Sequence, residues 1–351
     1  MFTDKTIYEN KWSKNLPWVE KYRPISVNDI VYQNQVVETL KKSIHNNNLS
    51  HLLFYGPPGT GKTSAILAAA KDLYKESDYK NYVLELNASD ERGINIIRTK
   101  VKSFSQKTIS KNNSNNLPNF KLIILDEADS MTVEAQSILR NIIQKYSKIT
   151  RFCIICNYID KIIESLVSRC NKFRFFPLDQ SSIIQILKNI SINENINLKY
   201  NTMKYINNCS NGDLRRAITI LQSAYYIYGN KISFKEIDYI MGTLNKDKVD
   251  LYLDIVLNKT HYDIDKFCDY LAKESYSNYI IINQIFDKLL ECDKISDFKK
   301  SSIIKIITNS YYNLLNKSNF NIEFNSKELL KCSQCYVQPY TNVTATKSSH
   351  I

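Results

Sequence analysis

Residues 56–63 have the types and spacing of a phosphate-binding loop. They read Gly-Pro-Pro-Gly-Thr-Gly-Lys-Thr and lie between the largely apolar run 51–55 and the alanine-rich run 65–70. Glycines let successive backbone N–H groups turn towards an anion, and the positive end of a following helix attracts the same charge. The pattern predicts that Lys62 holds the β- and γ-phosphates of a nucleotide and that Thr63 binds Mg²⁺. The residues predicted to contact the nucleotide are Gly56, Pro57, Pro58, Gly59, Thr60, Gly61, Lys62, Thr63 and Ser64.

Two acids, Asp126 and Glu127, directly follow the apolar segment 122–125. Buried strand interiors exclude charge, so these carboxylates mark the C-terminal edge of a sheet, where ligands of open α/β sheets bind. Asp126 is predicted to accept Mg²⁺ through a bound water. Glu127 is predicted to orient and deprotonate the water that attacks the γ-phosphate. Asn157 ends another apolar segment and can hydrogen-bond the γ-phosphate or the same water.

Two arginine placements need explanation. Arg215 and Arg216 fall in the first turn of a predicted helix that Asp213 caps, where the helix dipole disfavours cations. A cation held against that field is a candidate for contact with an anion. Arg169 precedes the last predicted strand, and its spacing fits either a surface charge or an arginine finger.

A second basic pair lies on one flank of a predicted helix. Apolar residues recur at helical spacing over 91–107, which predicts an amphipathic helix. Arg98 and Lys102 are four residues apart, so they share one side of that helix. The pair is aligned, whereas charge from a lysine-rich composition alone would be scattered.

The elements that must position these residues alternate along the first half of the chain. Apolar strand-like runs alternate with helical patterns up to Pro177, which predicts one parallel sheet covered on both faces. The predicted strands are 51–55, 82–86, 121–125, 151–157 and 172–176. Before them, the two prolines of the segment 17–24 predict an extended strap that can line an adenine pocket. After Pro177 the apolar period is helical to the end of the chain.

Composition excludes several classes of protein. Hydrophobic residues make up 43% and charged residues 23% of the 351 residues, which is ordinary for a globular chain and excludes wholesale disorder. No run of 18 apolar residues and no apolar leader is present, and eight cysteines do not form a disulfide framework in a chain this long. The sequence therefore predicts a soluble, reduced, intracellular protein with no membrane partner. Its net charge of +12 fits a polyanionic partner or a lysine-rich codon usage.

The motifs together resemble the small subunits of replication factor C, the sliding-clamp loader. The resemblance covers residues 17 to about 240, and the last hundred residues match only in helical character. The segments 54–56 and 155–158 are most similar to the type numbered four in animals. The segments that carry the family resemblance are 18–24, 56–63, 85–93, 126–129, 168–170 and 212–217.

The resemblance implies an α/β parallel-sheet AAA+ domain of the phosphate-loop kind, followed by a small helical lid and an all-α C-terminal collar. It also implies roles for single residues. Val19, Arg23 and Val31 would line the adenine and ribose pocket, Asn157 would be a first sensor and Arg215 a second, and Arg169 would reach the ATP of a neighbouring subunit. The implied domains are an ATP-binding domain at 17–177, a lid at 178–242 and a collar at 243–338. The polar composition of the two ends predicts a disordered N-terminus at 1–16 and a loose tail at 339–351.

The same resemblance implies partners and a location. The subunit would use ATP and Mg²⁺ within a five-membered ring of related replication factor C subunits. That ring would open the PCNA-type sliding clamp and load it onto primer–template DNA in the nucleus, during replication and repair. Arg98 and Lys102 would track template phosphates inside the ring.

Two other interpretations differ in class. Asp126–Asp129 spells Asp-Glu-Ala-Asp, the box of the DEAD helicases, but those proteins carry Ser-Ala-Thr shortly after it and a second strand-bearing domain. Here Ile155–Asn157 reads Ile-Cys-Asn and only helical patterns follow. A non-hydrolysing scaffold subunit of an AAA+ ring would keep the fold but lose Lys62 or Glu127, and both residues are present.

Overall fold

The computed structural model describes residues 16–30, 32–74, 76–89, 97–107, 118–258, 261–274, 276–292 and 295–316. It forms two compact units, Met1–Lys231 and Ile232–Ile351. Val31, most of the N-terminal segment 1–16, the loop 108–117 and the tail 339–351 lie outside the described residues. The domain boundaries that the resemblance implies stay predictions.

The first unit is built on a parallel sheet, as the alternating pattern predicts. Among the described residues, five strands form it in the order β2-β3-β4-β1-β5, and every neighbouring pair is parallel. The strands are β1 (Leu52–Tyr55), β2 (Val83–Asn87), β3 (Lys121–Asp126), β4 (Thr150–Cys156) and β5 (Asn171–Arg174). The central strands β1, β3 and β4 are almost wholly buried, which explains their continuous apolar runs.

Helices of the first unit cover this sheet and continue beyond it. In chain order they are α1 (Trp18–Lys21), α2 (Asn34–His45), α3 (Lys62–Leu73), α4 (Glu76–Tyr82), α5 (Lys102–Gln106), α6 (Val133–Tyr146), α7 (Glu164–Val167), α8 (Gln180–Asn193), α9 (Tyr200–Ser210) and α10 (Leu214–Tyr228). Helix α6 buries Ala135, Leu139 and Ile142 in the core with strand residues such as Ile123 and Ile154. This packing closes one face of the sheet.

The segment 17–24 differs from its predicted conformation. Trp18–Lys21 forms the short helix α1, so the prediction of an extended strap is wrong for these residues. Pro17 occupies the position just before the first turn, where its missing N–H costs nothing. The helix ends at Tyr22, ahead of Pro24, because proline disfavours a helical conformation in the residue before it. The prolines flank the helix rather than interrupt it.

The predicted helix over 91–107 is described only in its second half. Ile97–Val101 forms a π-helical turn that leads into α5. Val101 is fully buried and Lys102 is exposed, which confirms the amphipathic pattern in this part. The side chain of Arg98 lies outside the described residues.

The second unit is helical in every described element. Its helices are α11 (Phe234–Met241), α12 (Lys246–Asn258), α13 (His261–Lys273), α14 (Asn278–Glu291) and α15 (Asp297–Asn316). Ile285, Leu289, Ile303 and Ile307 are buried in one apolar cluster, as their stripes at helical spacing predict. No helix in the described part of the chain is both long enough and apolar enough to cross a membrane.

Candidate functional site

A cavity opens where the phosphate-binding loop meets the carboxyl ends of the strands. Loop residues, the strand-end acids and residues of α1 and α10 all line it. The lining residues are Val19, Tyr22, Arg23, Pro24, Tyr32, Pro58, Gly59, Thr60, Gly61, Lys62, Thr63, Ser64, Asp126, Glu127, Asn157, Leu214, Arg215 and Ile218. Residues far apart in the sequence thus enclose one polar cavity at the edge where α/β sheets bind ligands.

The loop requires glycine at two positions, in each case for its backbone conformation and for the space that a Cβ would fill. Gly61 precedes α3 with φ of 87°, and a Cβ there would lie 2.5 Å from the Tyr32 ring. Gly59 has φ of 69°, and a Cβ there would lie 1.8 Å from Asp213 Oδ1. Both conformations are left-handed, where side chains are strained. Glycine therefore permits the turn and also lets the loop approach Tyr32 and the start of α10.

Lys62 is buried, and its ammonium group is held inside the loop. Its Nζ donates to the carbonyl oxygens of Gly56 and Pro57, both at 2.8 Å, and to Asn157 Oδ1 at 2.9 Å. Burial lowers the pKa of Lys62, and the negative charge of Asp126 opposes that change. A buried cation whose partners are neutral oxygens is well placed to attract an anion.

Thr63 and Asp126 meet directly. The Thr63 hydroxyl donates to Asp126 Oδ2 at 2.7 Å, which joins the start of α3 to the end of β3. Glu127 follows with φ of 52°, and its backbone N–H donates to Asp126 Oδ1 at 2.9 Å. A hydroxyl and a carboxylate side by side are the hard oxygen ligands that Mg²⁺ prefers. The residues present therefore fit a magnesium ion.

Asn157 and Asp129 link two neighbouring strand ends. Asp129 Oδ2 accepts from the backbone N–H groups of Asn157 at 3.3 Å and Tyr158 at 3.4 Å. These hydrogen bonds fix the backbone just after β4, so that the Asn157 amide oxygen reaches Lys62. Asp129 was not among the predicted site residues, although its place in the acidic box was a usable signal.

The lid helix α10 begins at the cavity. Asp213 caps it by accepting from the Arg216 N–H at 3.1 Å, which confirms the predicted cap. The Leu214 N–H donates to the Gly59 carbonyl at 3.3 Å, which attaches the helix to the loop. Arg215 lines the cavity, whereas Arg216 is exposed outside it.

Most predicted site residues come together, and some do not. Val19 and Arg23 line the cavity, while Gly56 and Pro57 stand behind it and accept the hydrogen bonds of Lys62. Arg169 is exposed before β5, and its Nη1 donates to the Ser165 carbonyl at 2.6 Å. Val31 lies outside the described residues, and its role stays a prediction.

Sequence reasoning missed five lining residues, namely Tyr22, Pro24, Tyr32, Leu214 and Ile218. Three of them belong to segments that carry the resemblance, so 18–24 was itself a signal for Tyr22 and Pro24, and 212–217 was a signal for Leu214. Tyr32 and Ile218 are buried residues that no local pattern separates from the core. Only the folded chain brings them to the loop.

Comparisons with known proteins agree with this arrangement. The family model "ATPase family associated with various cellular activities (AAA)" matches residues 52–178, and the model "RCF1/5-like, AAA+ ATPase lid domain" matches residues 185–226. The first range contains the loop and the acids, and the second contains α10 up to Tyr226. Neither match favours a DEAD-type helicase.

Whole-chain relatives extend the match. Replication factor C subunit 4 of Homo sapiens is 47% identical over 298 residues, which cover 84% of this chain and 82% of that protein. Replication factor C subunit 2 of Schizosaccharomyces pombe is 43% identical, with 84% and 87% covered. The Saccharomyces cerevisiae subunit 2 is 42% identical, with 91% and 93% covered. The human match fits the subunit-four type.

Solved structures support the fold. A structure of RuvB from Thermotoga maritima superposes with a TM-score of 0.51 over 75% of this chain and 90% of that one, at 15% identity. At that identity the likeness concerns the fold alone. With the AAA and lid domains in sequence and with relatives matched over most of their length, the chain belongs to the replication factor C subunits and is an AAA+ ATPase.

Proposed function

We propose that this protein is an ATP-hydrolysing subunit of a replication factor C clamp loader, which opens a PCNA-type sliding clamp and loads it onto primer–template DNA. The single observation that carries the proposal is the hydrogen-bonded group of Lys62, Asn157, Thr63 and Asp126 at one edge of the sheet. This group contains the phosphate-binding, metal-binding and water-positioning side chains that phosphoryl transfer needs.

Lys62 would act by exchanging partners. Its ammonium is held by the carbonyl oxygens of Gly56 and Pro57 and by the Asn157 amide oxygen. Phosphate oxygens carry more negative charge than these neutral oxygens, so β- and γ-phosphates would replace some of these hydrogen bonds. Asn157 would then be available to hydrogen-bond the γ-phosphate or the attacking water.

Thr63 and Asp126 would hold Mg²⁺, the latter through a water, and Glu127 would orient and deprotonate the attacking water. The metal, when bound, neutralises charge on the phosphates. Glu127 has a left-handed backbone conformation immediately after β3 and lines the cavity. Its role as base rests on this placement and on the family resemblance.

The opposite end of the cavity would receive the base and ribose. Val19, Tyr22 and Ile218 would supply apolar and aromatic surface there, and Arg23 would add a donor. Arg215, from the lid, would contact phosphate as a second sensor. Val31 is proposed to belong to the same pocket on the resemblance alone.

Arg169 is proposed to act on the ATP of a neighbouring replication factor C subunit in a five-membered ring. It precedes β5, whose Asn171 pairs with Leu52 at the start of β1, whereas the loop follows the other end of β1. Arg169 therefore stands at the amino edge of the sheet, a strand length of about 10 Å or more from its own loop. An arginine finger in trans fits that position.

DNA contact and nuclear location complete the proposal. Lys102 is exposed on α5, and Arg98 precedes it by one helical turn. Their alignment fits contacts to successive phosphates of template DNA. The named relatives are replication factor C subunits, which supports assembly with such subunits and a place in the nucleus.

The test is reconstitution of the complex with Lys62→Ala in this subunit. We expect Mg²⁺-dependent ATP binding by the isolated variant to fall at least about a hundredfold, because the charge facing two phosphates is removed. Clamp loading onto primed DNA should fall with it. Lys71→Ala, a change of an exposed lysine on the same helix, should leave both unchanged. Normal loading and normal ATP affinity in the Lys62→Ala complex would contradict the proposal.

A further inference from the structure

Glu194 joins the lid to the short helix α1. It is the residue that ends α8, and its Oε1 accepts from Lys21 Nζ at 2.5 Å and from the Tyr22 hydroxyl at 2.6 Å. Only 17% of its side chain is exposed. One lid carboxylate thus holds two consecutive residues at the start of the segment that lines the cavity.

A second pair of interactions holds α1 on the lid. The Trp18 N–H donates to Gln222 Oε1 at 3.0 Å, and the buried Trp18 ring packs against Tyr225 of α10 with centroids 5.6 Å apart. The start of α1 is therefore fixed to α10, while its end is fixed to the end of α8. Glu194 holds a residue that lines the cavity, whereas Gln222 and Tyr225 hold one that does not.

The chain is anchored again just beyond the cavity, this time to the sheet domain. Asp72 of α3 accepts from the Ser26 hydroxyl at 3.0 Å and from the Val27 N–H at 2.9 Å. The lining residues 22–24 therefore span from a lid anchor to an anchor on the helix that follows the loop. Because both ends are held, the positions of Tyr22 and Arg23 depend on the lid anchor as well as on Asp72.

The charge states of the two partners agree with this interaction. Burial alone would raise the pKa of Glu194, but hydrogen bonds from Lys21 and Tyr22 lower it below its ordinary value. Burial and the hydrogen bond to Glu194 raise the pKa of Tyr22. At neutral pH the pair is thus a carboxylate that accepts from a neutral phenol, which is a charge-assisted hydrogen bond.

We propose that Glu194 is a positioning residue of the nucleotide cavity. It acts through Tyr22, keeps the segment 22–24 on the lid, and so places the wall that faces the base and ribose. When the lid shifts, this wall shifts with it. The inference rests on the proposed binding of ATP in this cavity and adds a residue that does not line it.

The primary test uses Glu194→Gln in the full-length subunit, with a non-hydrolysable ATP analogue and Mg²⁺. We expect the dissociation constant to rise roughly three- to tenfold, as for removal of a partly exposed charge-assisted hydrogen bond. Glu38→Gln, the same change at an exposed position of α2, is the matched control and should leave affinity unchanged. Unchanged affinity in Glu194→Gln overturns the inference.

Inorganic tripolyphosphate separates positioning from general damage to the pocket. It carries the phosphates but no base or ribose, so its affinity should be the same in Glu194→Gln and in the wild-type protein. Equal weakening of tripolyphosphate and of the ATP analogue would overturn the positioning role. Lys62→Ala, measured in parallel, should weaken both ligands, and its failure to do so would contradict the proposed function instead.

A double-mutant cycle with Tyr22→Phe tests the route of the effect. The phenol hydroxyl and the carboxylate share one hydrogen bond, so the double variant should lose hardly more affinity than the larger single loss. Fully additive losses would show that Glu194 does not act through Tyr22 and would overturn that step.

Discussion

The phosphate end and the base end that we propose for the cavity are held together in different ways. At the phosphate end, the loop 58–64 meets Asp126 and Asn157, which end neighbouring regions of one parallel sheet, and hydrogen bonds of 2.7 to 2.9 Å connect them. At the proposed base end, the segment 22–24 lines the cavity together with Ile218 of the lid helix α10, which is remote from that segment in the chain.

This difference concerns what holds each end in place. The phosphate end is fixed by the sheet register, since the strand ends and the loop share one edge of a buried sheet. The base end depends on interactions between a short helix and the lid, such as Trp18 on Tyr225. A change in lid position therefore acts on the base end through α1, whereas at the phosphate end it acts on the loop only where Leu214 donates to the Gly59 carbonyl and where Arg215 lines the cavity.

Arg169→Ala carries the largest expected effect. It tests whether hydrolysis needs, besides these two ends of the cavity, an arginine from a neighbouring subunit. If a neighbouring subunit's ATP needs Arg169, hydrolysis at that site in the assembled ring should fall by about 10³ to 10⁵, the range for arginine fingers. The affinity of the isolated subunit for ATP should not change. Clamp- and DNA-stimulated turnover of the complex is the measurement.

Lys172→Ala is the control for that experiment, because it removes another exposed cation close to Arg169 in the chain. It should leave turnover unchanged. If Arg169→Ala abolishes this subunit's own ATP binding while the neighbouring site hydrolyses normally, the arginine acts in cis and the ring mechanism is contradicted.

Glu127→Gln tests the phosphate end by separating binding from chemistry. A neutral amide cannot take the proton of the attacking water, so hydrolysis at this site should fall by about 10² to 10⁴. ATP affinity should stay within about twofold, since Glu127 is not predicted to contact the phosphates. Single-turnover hydrolysis and equilibrium binding of ATP are the measurements. A variant that hydrolyses ATP at the normal rate would exclude Glu127 as the base.

Val19→Ala tests the base end, where a smaller effect is expected. About two methylene equivalents are removed from a half-buried side chain, so affinity should fall by roughly three- to tenfold. Because ATP and ADP share the base and ribose, both affinities should fall by the same factor. Val133→Ala, at a position 63% exposed on α6, is the matched control. If Val19→Ala weakened the binding of ATP but not of ADP, Val19 would have to be assigned to the phosphate end.

Local patterns predicted the phosphate end and tertiary packing decided the base end. The glycines and Lys62 form one contiguous motif, and Asp126 and Asn157 end apolar runs, so elementary rules for parallel sheets bring them together. Ile218 has no such signal, because it is a buried residue that no local pattern separates from the core. Tyr32 lacks one for the same reason, although it approaches the loop at Gly61. The helix α1 was mispredicted because proline is excluded from helix interiors but not from the residues that flank a single turn.

The last prediction has the smallest effect and concerns a surface outside both ends. Arg98→Ala combined with Lys102→Ala should weaken DNA binding by the assembled complex. It should also reduce the log–log salt slope by about one unit for each phosphate that is no longer bound. ATP binding by the isolated subunit should not change, because neither residue is predicted to contact the nucleotide. The measurement is the DNA dissociation constant over a series of salt concentrations.

The matched control for this pair is Lys41→Ala with Lys42→Ala, two exposed lysines on α2. Both double variants lower the net charge of the protein by the same amount, so general attraction to DNA weakens equally in each. The salt slope should fall only in the Arg98/Lys102 double variant, because only that variant lacks cations proposed to bind defined phosphates. Equal salt slopes for the two variants would show that Arg98 and Lys102 belong to an ordinary solvated helix face. Other surfaces of the ring would then bind the DNA.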